Sequence, residues 1–358
     1  MKAVVRRGAA LIEADCADPV PGMGQVLVAT HACGICGSDL HALKGLDESV
    51  KRSGNASSGT IDPSRDMIMG HEFCGEILDH GPGCTHGLKA GTRVVSVPYA
   101  YGPNGQELVG FSNRFPGGFG EKMLLTERTL LEVPNGLSSE HAALTEPMAV
   151  GAHAAGKADP ATRPVALVIG CGPVGLAVIA SLKARGIGPV IAADYSAARR
   201  ELAARVGADV VVDPGTSSPH DLWDRFDVPA TLAAATEAEL AGRDTRRAVI
   251  FECVGAKGLI QGIIEQAPPH SQLVLVGTCA HPDTIVPVMA LRKQLRFDFV
   301  YAYTPDEFAE TLHRIAEGQI DVAPFVSKVV GRSDLAAAFD ELASPGALVK
   351  ILVDPRRA

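Results

Sequence analysis

The sequence has little of what marks membrane proteins, nucleic-acid-binding proteins or disordered chains. No apolar run approaches the roughly eighteen residues that a membrane-spanning helix needs, so we expect no membrane partner. Long basic stretches are missing too, and the net charge of −8 argues against nucleic acid as the main partner. Only 21% of the residues are charged and 46% are apolar, which is typical of a globular protein and excludes a disordered chain.

A disulfide framework is also missing. The eight cysteines are spread over 358 residues and several lie in predicted core strands, so we interpret them as reduced thiols. Cys33 and Cys36 form one Cys-x-x-Cys pair, but no second pair completes a four-cysteine zinc site. The sequence contains no internal repeat and no low-complexity tract. Together with the strand-like start at Met1–Arg6, these features predict a cytoplasmic protein.

The length and the hydrophobic pattern predict two domains of different architecture. Before Pro134 the pattern is all-β, and the predicted strands are Lys2–Arg6, Ala10–Glu13, Gln25–Thr30, Glu72–His80, Thr92–Pro98, Glu121–Thr126 and Thr129–Val133. After Pro134 strands alternate with helices, and the predicted strands are Val165–Ile169, Val190–Ala193, Asp209–Val212, Ala248–Cys253, Leu273–Val276 and Phe297–Tyr301. This alternation predicts an α/β fold with a doubly wound, parallel six-stranded sheet. Residues 45–66 are predicted as a surface loop and Tyr99–Phe119 as an irregular lobe.

The stretch from Val165 to Asp194 predicts a dinucleotide site. It contains a buried strand, a glycine turn, a helix that would begin near Pro173, and a second strand that ends at an acidic residue. The first glycine permits a tight turn, the second lets a pyrophosphate approach the backbone, and the third lets the helix pack on the strand. Free N–H groups at the start of the helix would face the phosphates. The predicted cofactor-binding residues are Gly170, Gly172, Pro173, Val174, Gly175, Asp194 and Arg199.

The acidic residue of this stretch favours NAD over NADP. Asp194 follows Gly175 by nineteen residues, where its carboxylate can accept hydrogen bonds from both ribose hydroxyls and would repel a 2′-phosphate. Arg199 and Arg200 leave the alternative open, because arginines in this region can bind a 2′-phosphate. They are also typical of an exposed helix face.

A second group of residues points to metal chemistry. The sequence Gly70-His71-Glu72 comes thirty-five residues after Cys36 and places an imidazole beside a carboxylate. One cysteine, one histidine and one carboxylate supply the three protein ligands of a catalytic zinc, which keeps its fourth position open. Taken singly, Cys36 would fit an inert buried thiol and His71 a hydrogen-bonded core residue.

Four motifs in this order make the chain resemble the zinc-dependent medium-chain dehydrogenase/reductase (alcohol dehydrogenase) family. They are G-I-C-G-S-D-x-H from Gly34, G-H-E from Gly70, E-P-M-A-V-G-x-H-A from Glu146, and the G-x-G-x-x-G turn. Glu146 stands where the liver-type enzymes carry a third cysteine, so the sorbitol and butanediol dehydrogenase branch is the nearer match. The resemblance implies a GroES-like, β-rich catalytic domain at residues 1–150, completed by 291–358, and an inserted Rossmann NAD-binding domain at 151–290.

The resemblance also implies a role for each site residue. The implied zinc ligands are Cys36, His71 and either Glu72 or Glu146, and the implied catalytic residues are Cys36, Ser38, His41, His71 and Glu72. Asp39 would accept the second N–H of His71, and Ser38 and His41 would form a proton relay. Each of these residues has an alternative role. Glu146 could interact favourably with the dipole at the start of its helix, Asp39 could cap a helix, and His41 could be a solvated surface residue.

One departure from the family pattern shapes the cofactor prediction. The family usually carries four closely spaced cysteines for a structural zinc, and none lies between Thr92 and Glu121. We therefore expect one catalytic zinc per chain and no structural zinc.

The expected reaction transfers hydride between NAD and a secondary alcohol, diol or polyol, with a small-molecule alcohol or ketone as the partner. Family habit implies a homodimer or homotetramer. The alternatives are a threonine 3-dehydrogenase-like enzyme and a non-catalytic NAD-binding protein.

Overall fold

The computed structural model describes residues 1–53, 61–85, 87–102, 105–279, 281–344, 346 and 348–358, with only the backbone of residues 47–53. The chain divides into two compact units. Unit 1 comprises Met1–Glu146, Phe308–Gly318 and Phe325–Ala358, and unit 2 comprises Pro147–Glu307 and Gln319–Pro324. The domain boundaries placed after residues 150 and 290 stay a prediction. No helix in the described ranges has the length and apolar character to cross a membrane.

Strands and helices follow one another along both units. The described strands are β1 (Lys2–Arg7), β2 (Ala10–Asp15), β3 (Gln25–Gly34), β4 (Glu72–His80), β5 (Arg93–Ser96), β6 (Tyr99–Gly102), β7 (Gly105–Leu108), β8 (Lys122–Thr126), β9 (Leu130–Glu132), β10 (Val165–Ile169), β11 (Val190–Ala193), β12 (Val210–Val212), β13 (Ala248–Glu252), β14 (Gln272–Leu275), β15 (Arg296–Phe299), β16 (Val326–Val330) and β17 (Lys350–Val353). The described α-helices are α1 (Gly37–Ser53), α2 (Ser139–Ala143), α3 (Thr145–Ala155), α4 (Pro173–Ala184), α5 (Ala197–Arg205), α6 (Leu232–Leu240), α7 (Leu259–Gln266), α8 (Pro287–Lys293), α9 (Pro305–Ala316) and α10 (Leu335–Ala343).

Strand β3 is central to unit 1. The main sheet has the order β16-β17-β3-β4-β5-β9, and β8 also pairs with β3. Alternate residues of β3, among them Val26 and Val28, are buried in a core that includes Phe73, Ile77 and Met123. This period of two is what a strand with one buried face requires. Strands β1 and β2 pair with each other, as do β6 and β7.

The register of β3 brings distant segments together. Gly34, its last residue, lies opposite Glu72 of β4 and Leu352 of β17 in antiparallel pairs. The N–H of Ile35 then donates to the carbonyl of Ile351 over 3.0 Å. The segment that follows β3 therefore lies beside the starts of both β4 and β17.

Unit 2 contains the predicted six-stranded sheet. All neighbouring strands pair in parallel, in the order β12-β11-β10-β13-β14-β15. Strand β10 is the first strand of the sheet in sequence and lies in its middle. The next two strands extend the sheet to one side and β13–β15 extend it to the other, as in a doubly wound dinucleotide-binding fold. Strands β11 and β13 are buried along their whole length, because helices cover both faces of such a sheet. The predicted fold class is confirmed.

Two predictions about irregular segments need correction. The surface loop predicted at residues 45–66 is wrong over its first part, because α1 continues to Ser53. Ala42 and Leu46 are buried and Leu43 is half-buried, so an apolar stripe at helical spacing lies within the polar composition. Residues 54–60 lie outside the described ranges. The lobe at Tyr99–Phe119 contains the hairpin of β6 and β7, which the glycine-rich sequence did not indicate.

Candidate metal and cofactor sites

Three of the predicted metal ligands meet in unit 1. Cys36, His71 and Glu72 each place one ligand atom within 4.8 Å of the others. Among the described residues, this is the group of His, Cys, Asp or Glu side chains that could hold a metal ion. Cys36 lies between β3 and α1, whereas His71 and Glu72 stand at the start of β4. The antiparallel register of β3 and β4 thus closes the distance that separates the two motifs in sequence.

Two glycines let these strands approach. Gly70 has a φ of +97°, and a Cβ there would lie 2.7 Å from Cys33 Sγ and 2.9 Å from Phe119 Cδ1. A Cβ on Gly34 would lie 2.0 Å from Glu72 Oε2. A side chain at position 34 would displace Glu72 of the group, and one at position 70 would displace the neighbouring Cys33 and Phe119. Both motifs therefore have a steric reason for their glycine.

The imidazole of His71 is held on three sides. Its Nδ1 lies 3.5 Å from Asp39 Oδ1, its Nε2 lies 3.4 Å from Ser38 Oγ, and its ring centroid lies 5.4 Å from that of Phe111. Burial lowers the pKa of His71, but Asp39 and Cys36 outweigh burial and raise the pKa well above its usual value. A metal ion that bound this ring would therefore have to displace a proton from it.

Asp39 does more than face His71. Its Oδ2 accepts the N–H of Cys36 over 2.9 Å, and the Cys36 carbonyl accepts from Leu40 in the first turn of α1. The carboxylate is fully buried. One side chain thus bonds to the backbone of one proposed ligand and lies beside the ring of another, while its role in orienting His71 stays a prediction.

Sequence reasoning missed Lys350. This residue begins β17, and its Nζ donates to Glu72 Oε1 over 2.7 Å, with both side chains buried. Burial lowers the pKa of Lys350, but Glu72 and Cys36 outweigh burial and raise it. The available signal was a single lysine in the otherwise apolar run Val349–Val353. A buried ammonium group needs a charged partner, and the partner of Lys350 is the proposed ligand Glu72.

The donors fit a zinc ion. Glu72 Oε2 is buried and has no hydrogen-bond partner among the described residues. A thiol, an imidazole and a carboxylate within a few ångströms of one another are the donor types of a catalytic zinc site.

The other predicted site residues lie outside this group. Ser38 and His41 are both exposed and lie three residues apart on α1. Glu146 stands half-buried in the first turn of α3 and is not a member of the group of three.

The glycine turn of unit 2 has the geometry that its motif predicts. Gly170 has a φ of +92°, and a Cβ on Gly175 would lie 1.8 Å from the Gly170 carbonyl oxygen. Gly172 caps α4, and a Cβ there would meet nothing within 4 Å. Helix α4 begins at Pro173, as predicted, and Val174 is half-buried in its first turn. Gly172 therefore faces open space, whereas Gly175 packs on the turn.

Asp194 follows β11, and its carboxylate is held by two backbone groups. Oδ2 accepts the N–H of Cys171 and Oδ1 accepts the N–H of Ser196, each over 2.8 Å. Arg200 pairs with Asp213 over 3.0 Å and donates to the carbonyls of Asp194 and Tyr195. Arg199 is half-buried in the first turn of α5, and its Nε has no hydrogen-bond partner among the described residues.

Two family profiles match this chain. The profile of the alcohol dehydrogenase GroES-like domain matches residues 22–135, and that of the zinc-binding dehydrogenase matches residues 173–317. (R,R)-butanediol dehydrogenase from Neisseria gonorrhoeae is 31% identical over 95% of each chain. Sorbitol dehydrogenase from Ovis aries is 27% identical over 94% of this chain and 90% of that one.

A solved structure extends the comparison to the fold. The crystal structure of 2R,3R-butanediol dehydrogenase from Bacillus subtilis matches with a TM-score of 0.78 and 29% identity over 99% of each chain. With the matched domains, the G-H-E motif and the dinucleotide turn, the assignment is complete: the chain belongs to the zinc-dependent medium-chain alcohol dehydrogenase family and is an oxidoreductase that acts on CH–OH groups.

Proposed function

We propose that this enzyme oxidises a diol, a polyol or a related secondary alcohol with NAD and one catalytic zinc ion. The observation that carries the proposal is the approach of Cys36, His71 and Glu72 to within 4.8 Å. The butanediol and sorbitol dehydrogenases to which the chain is similar act, by their names, on a diol and a polyol. The relatives favour neither a threonine dehydrogenase nor a non-catalytic protein.

Cys36 and His71 are proposed as two zinc ligands, and Glu72 or Glu146 as the third. When bound, zinc supplies the Lewis acidity that makes the proton of an alcohol easier to remove. Asp39 lies beside Nδ1 of His71, and Nε2 of the same ring lies beside the exposed Ser38. The protein thereby holds the ring in one orientation before the substrate arrives.

Ser38 and His41 are proposed to carry the proton away. The exposed Ser38 Oγ can accept the alcohol proton and pass on its own hydroxyl proton. His41 lies three residues further along α1, on the same side of the helix, and is exposed. Its imidazole can take up this proton and release it to water.

Asp194 is proposed to select NAD, which supplies the hydride acceptor when bound. The N–H groups of Cys171 and Ser196 hold the carboxylate at the end of β11, where it can accept from the ribose hydroxyls. Arg200 is engaged by Asp213, so this pair argues against a 2′-phosphate site. Arg199 is proposed to contact the cofactor beside Asp194.

We also propose that the lobe at Tyr99–Phe119 needs no structural zinc. Ser112 Oγ donates to Glu107 Oε2 over 2.6 Å and accepts the N–H of Arg114 over 2.9 Å. Arg114 also pairs with Glu107 Oε1 over 3.2 Å, and Phe115 is fully buried. These contacts cross-link the lobe without a metal. Metal analysis of the purified protein is expected to give one zinc per chain, and two tightly bound zinc ions would contradict the proposal.

A homo-oligomer is proposed from the open edge of the sheet in unit 2. Strand β15 ends the sheet order, and Phe299 and Tyr301 are 79% and 83% exposed. A strand that has one neighbour among the described strands and lies beside exposed aromatic side chains is suited to pairing with a second copy. Light scattering is expected to report a dimer or tetramer, and a monomer at micromolar concentration would refute this.

A substrate screen tests the activity. Secondary alcohols, vicinal diols, polyols and threonine are supplied with NAD, and the highest kcat/KM is expected for a diol or polyol. A preference for threonine would identify the other enzyme class. No turnover by protein that retains zinc and binds NADH would identify a non-catalytic protein.

The cofactor proposal has its own test. Wild type is expected to prefer NAD to NADP, and D194G is expected to lose that preference, because no carboxylate then repels the 2′-phosphate. R200Q is the neighbouring control and is expected to keep it, because the guanidinium pairs within the protein. A wild-type preference for NADP would contradict the role of Asp194.

A further inference from the structure

Lys350 is a buried cation that connects the two segments holding the proposed metal ligands. Its side chain is 3% exposed and that of Glu72 is 1% exposed. The Nζ atom lies 2.7 Å from Glu72 Oε1 and 3.0 Å from the carbonyl oxygen of Ile35. Ile35 precedes Cys36, and Glu72 follows His71. One ammonium group from the last strand thus bonds to both ligand segments.

The two oxygens of Glu72 are placed differently as a result. Oε1 is held by Lys350, whereas Oε2 is buried beside Gly34 without a hydrogen-bond partner among the described residues. A buried carboxylate that lost its ammonium partner would carry an uncompensated charge. A divalent cation held by Cys36 and His71 would lie close enough to neutralise that charge.

We propose that Lys350 is a positioning residue that restrains Glu72 and thereby limits its coordination to the metal. The inference rests on the zinc site proposed above, taken with Glu146 and not Glu72 as its third ligand. With Lys350 present, the charge of Glu72 is neutralised by an ammonium group, and a hydrogen bond from that group keeps Oε1 from coordinating the metal. Without Lys350, Glu72 turns toward the metal and raises its coordination number, so the open position becomes less accessible.

Cobalt substitution makes this measurable without turnover. Co²⁺ in place of Zn²⁺ reports its coordination number through the intensity of its visible bands, which is higher for four ligands than for five. K350M is expected to lower that intensity about twofold, because ligand number and geometry determine it. The double variant K350M/E72Q is expected to restore the wild-type intensity, because the amide carries no charge toward the metal. K328M, on the neighbouring strand β16, removes an exposed lysine and is the matched control.

The outcomes separate this role from the proposed function. If wild type lacks a thiolate-to-cobalt band, the metal site is refuted, and the role of Lys350 falls with it. If wild type has the band and K350M has an unchanged spectrum, Lys350 does not restrain Glu72, while the proposed function stands. Should K350M fail to fold, the double variant decides. A folded double variant with the wild-type spectrum supports the proposal, and one that cannot bind cobalt overturns it.

Discussion

The glycine turn of unit 2 and the metal group of unit 1 are built in opposite ways. The turn lies within one stretch from Val165 to Asp194, and a Cβ on Gly175 would clash with the carbonyl oxygen of Gly170. The metal group consists of Cys36, His71 and Glu72. It is bonded to Lys350 near the C-terminus, and the contact between Ile35 and Lys350 spans 315 positions. Local sterics specify the turn, whereas the register of β3, β4 and β17 specifies the metal group.

This difference has a consequence for how the sites fail. A change inside the turn acts on its own backbone, so we expect its effect to stay in unit 2. A change in the metal group acts on contacts between segments that are far apart in sequence, and none of them lies in the turn. Each site can therefore be removed while the other is measured.

The largest effect is expected from C36S. Loss of the thiolate removes zinc, and because Lewis acidity contributes several kcal/mol, NAD reduction should fall by about three orders of magnitude. The dissociation constant of NADH is expected to stay unchanged, because the turn lies in the other unit. C16S, at another half-buried thiol, is the matched control. Retained turnover in a C36S protein verified to be free of zinc would refute the metal site.

D39N tests the group through a residue that is not a ligand. Asp39 holds both the His71 ring and the Cys36 N–H. Its replacement is expected to weaken zinc affinity about 10- to 100-fold, as is usual for residues that orient a ligand. Competition with a chromophoric chelator measures this affinity, and D15N at an exposed aspartate is the control. Equal affinities of D39N and D15N would show that Asp39 does not orient the ligands.

A pair of glycine variants tests the turn. G172A has room for its methyl group and should keep the stability of the protein, but it is expected to weaken NADH binding about tenfold where the pyrophosphate approaches. G175A places a methyl group 1.8 Å from the Gly170 oxygen and should lower the free energy of unfolding by about 1–3 kcal/mol.

The readouts for this pair are NADH titration, urea unfolding and zinc content. Both variants are expected to keep wild-type zinc content. If G172A destabilised the protein as much as G175A, the two glycines would not have the separate roles that the structure indicates. If either variant lost zinc, the independence of the two sites would be wrong.

The smallest effect is expected from H220F, which tests acid sensitivity away from the metal group. Burial, with a contribution from Lys293, lowers the pKa of His220 to about 4. The unfolded chain binds the proton near pH 6.5 and the folded chain only near pH 4, so stability is lost as the pH falls through this window. The loss from this residue at pH 5 is on the order of 1–2 kcal/mol.

Urea unfolding at pH 7 and pH 5 measures this loss. H220F is expected to lose less stability between the two pH values than wild type does, because phenylalanine cannot be protonated. H313F, at an exposed histidine of α9, is the control variant. An identical pH dependence of wild type and H220F would contradict the assignment to His220.

Much of unit 2 could be predicted because its signals are local. Its buried strands are continuous apolar runs, and the start of α4 follows from glycine and proline chemistry within a few residues. Residues 45–53 were predicted wrongly, because glycine, serine and charged residues concealed the helical spacing of Ala42 and Leu46. The site roles of Ser38, His41 and Glu146 stay predictions.

The sequence by itself determined the family motifs, the glycine turn and which residues, Cys36, His71 and Glu72, are the candidate donors. Those follow from residue type and short spacing, which require no knowledge of distant contacts. Only the tertiary structure decided that the donors meet within 4.8 Å and that Lys350 bonds to one of them. The physical reason is strand register: pairing of β3 with β4 and β17 determines which distant residues face each other, and a buried lysine must find a carboxylate there.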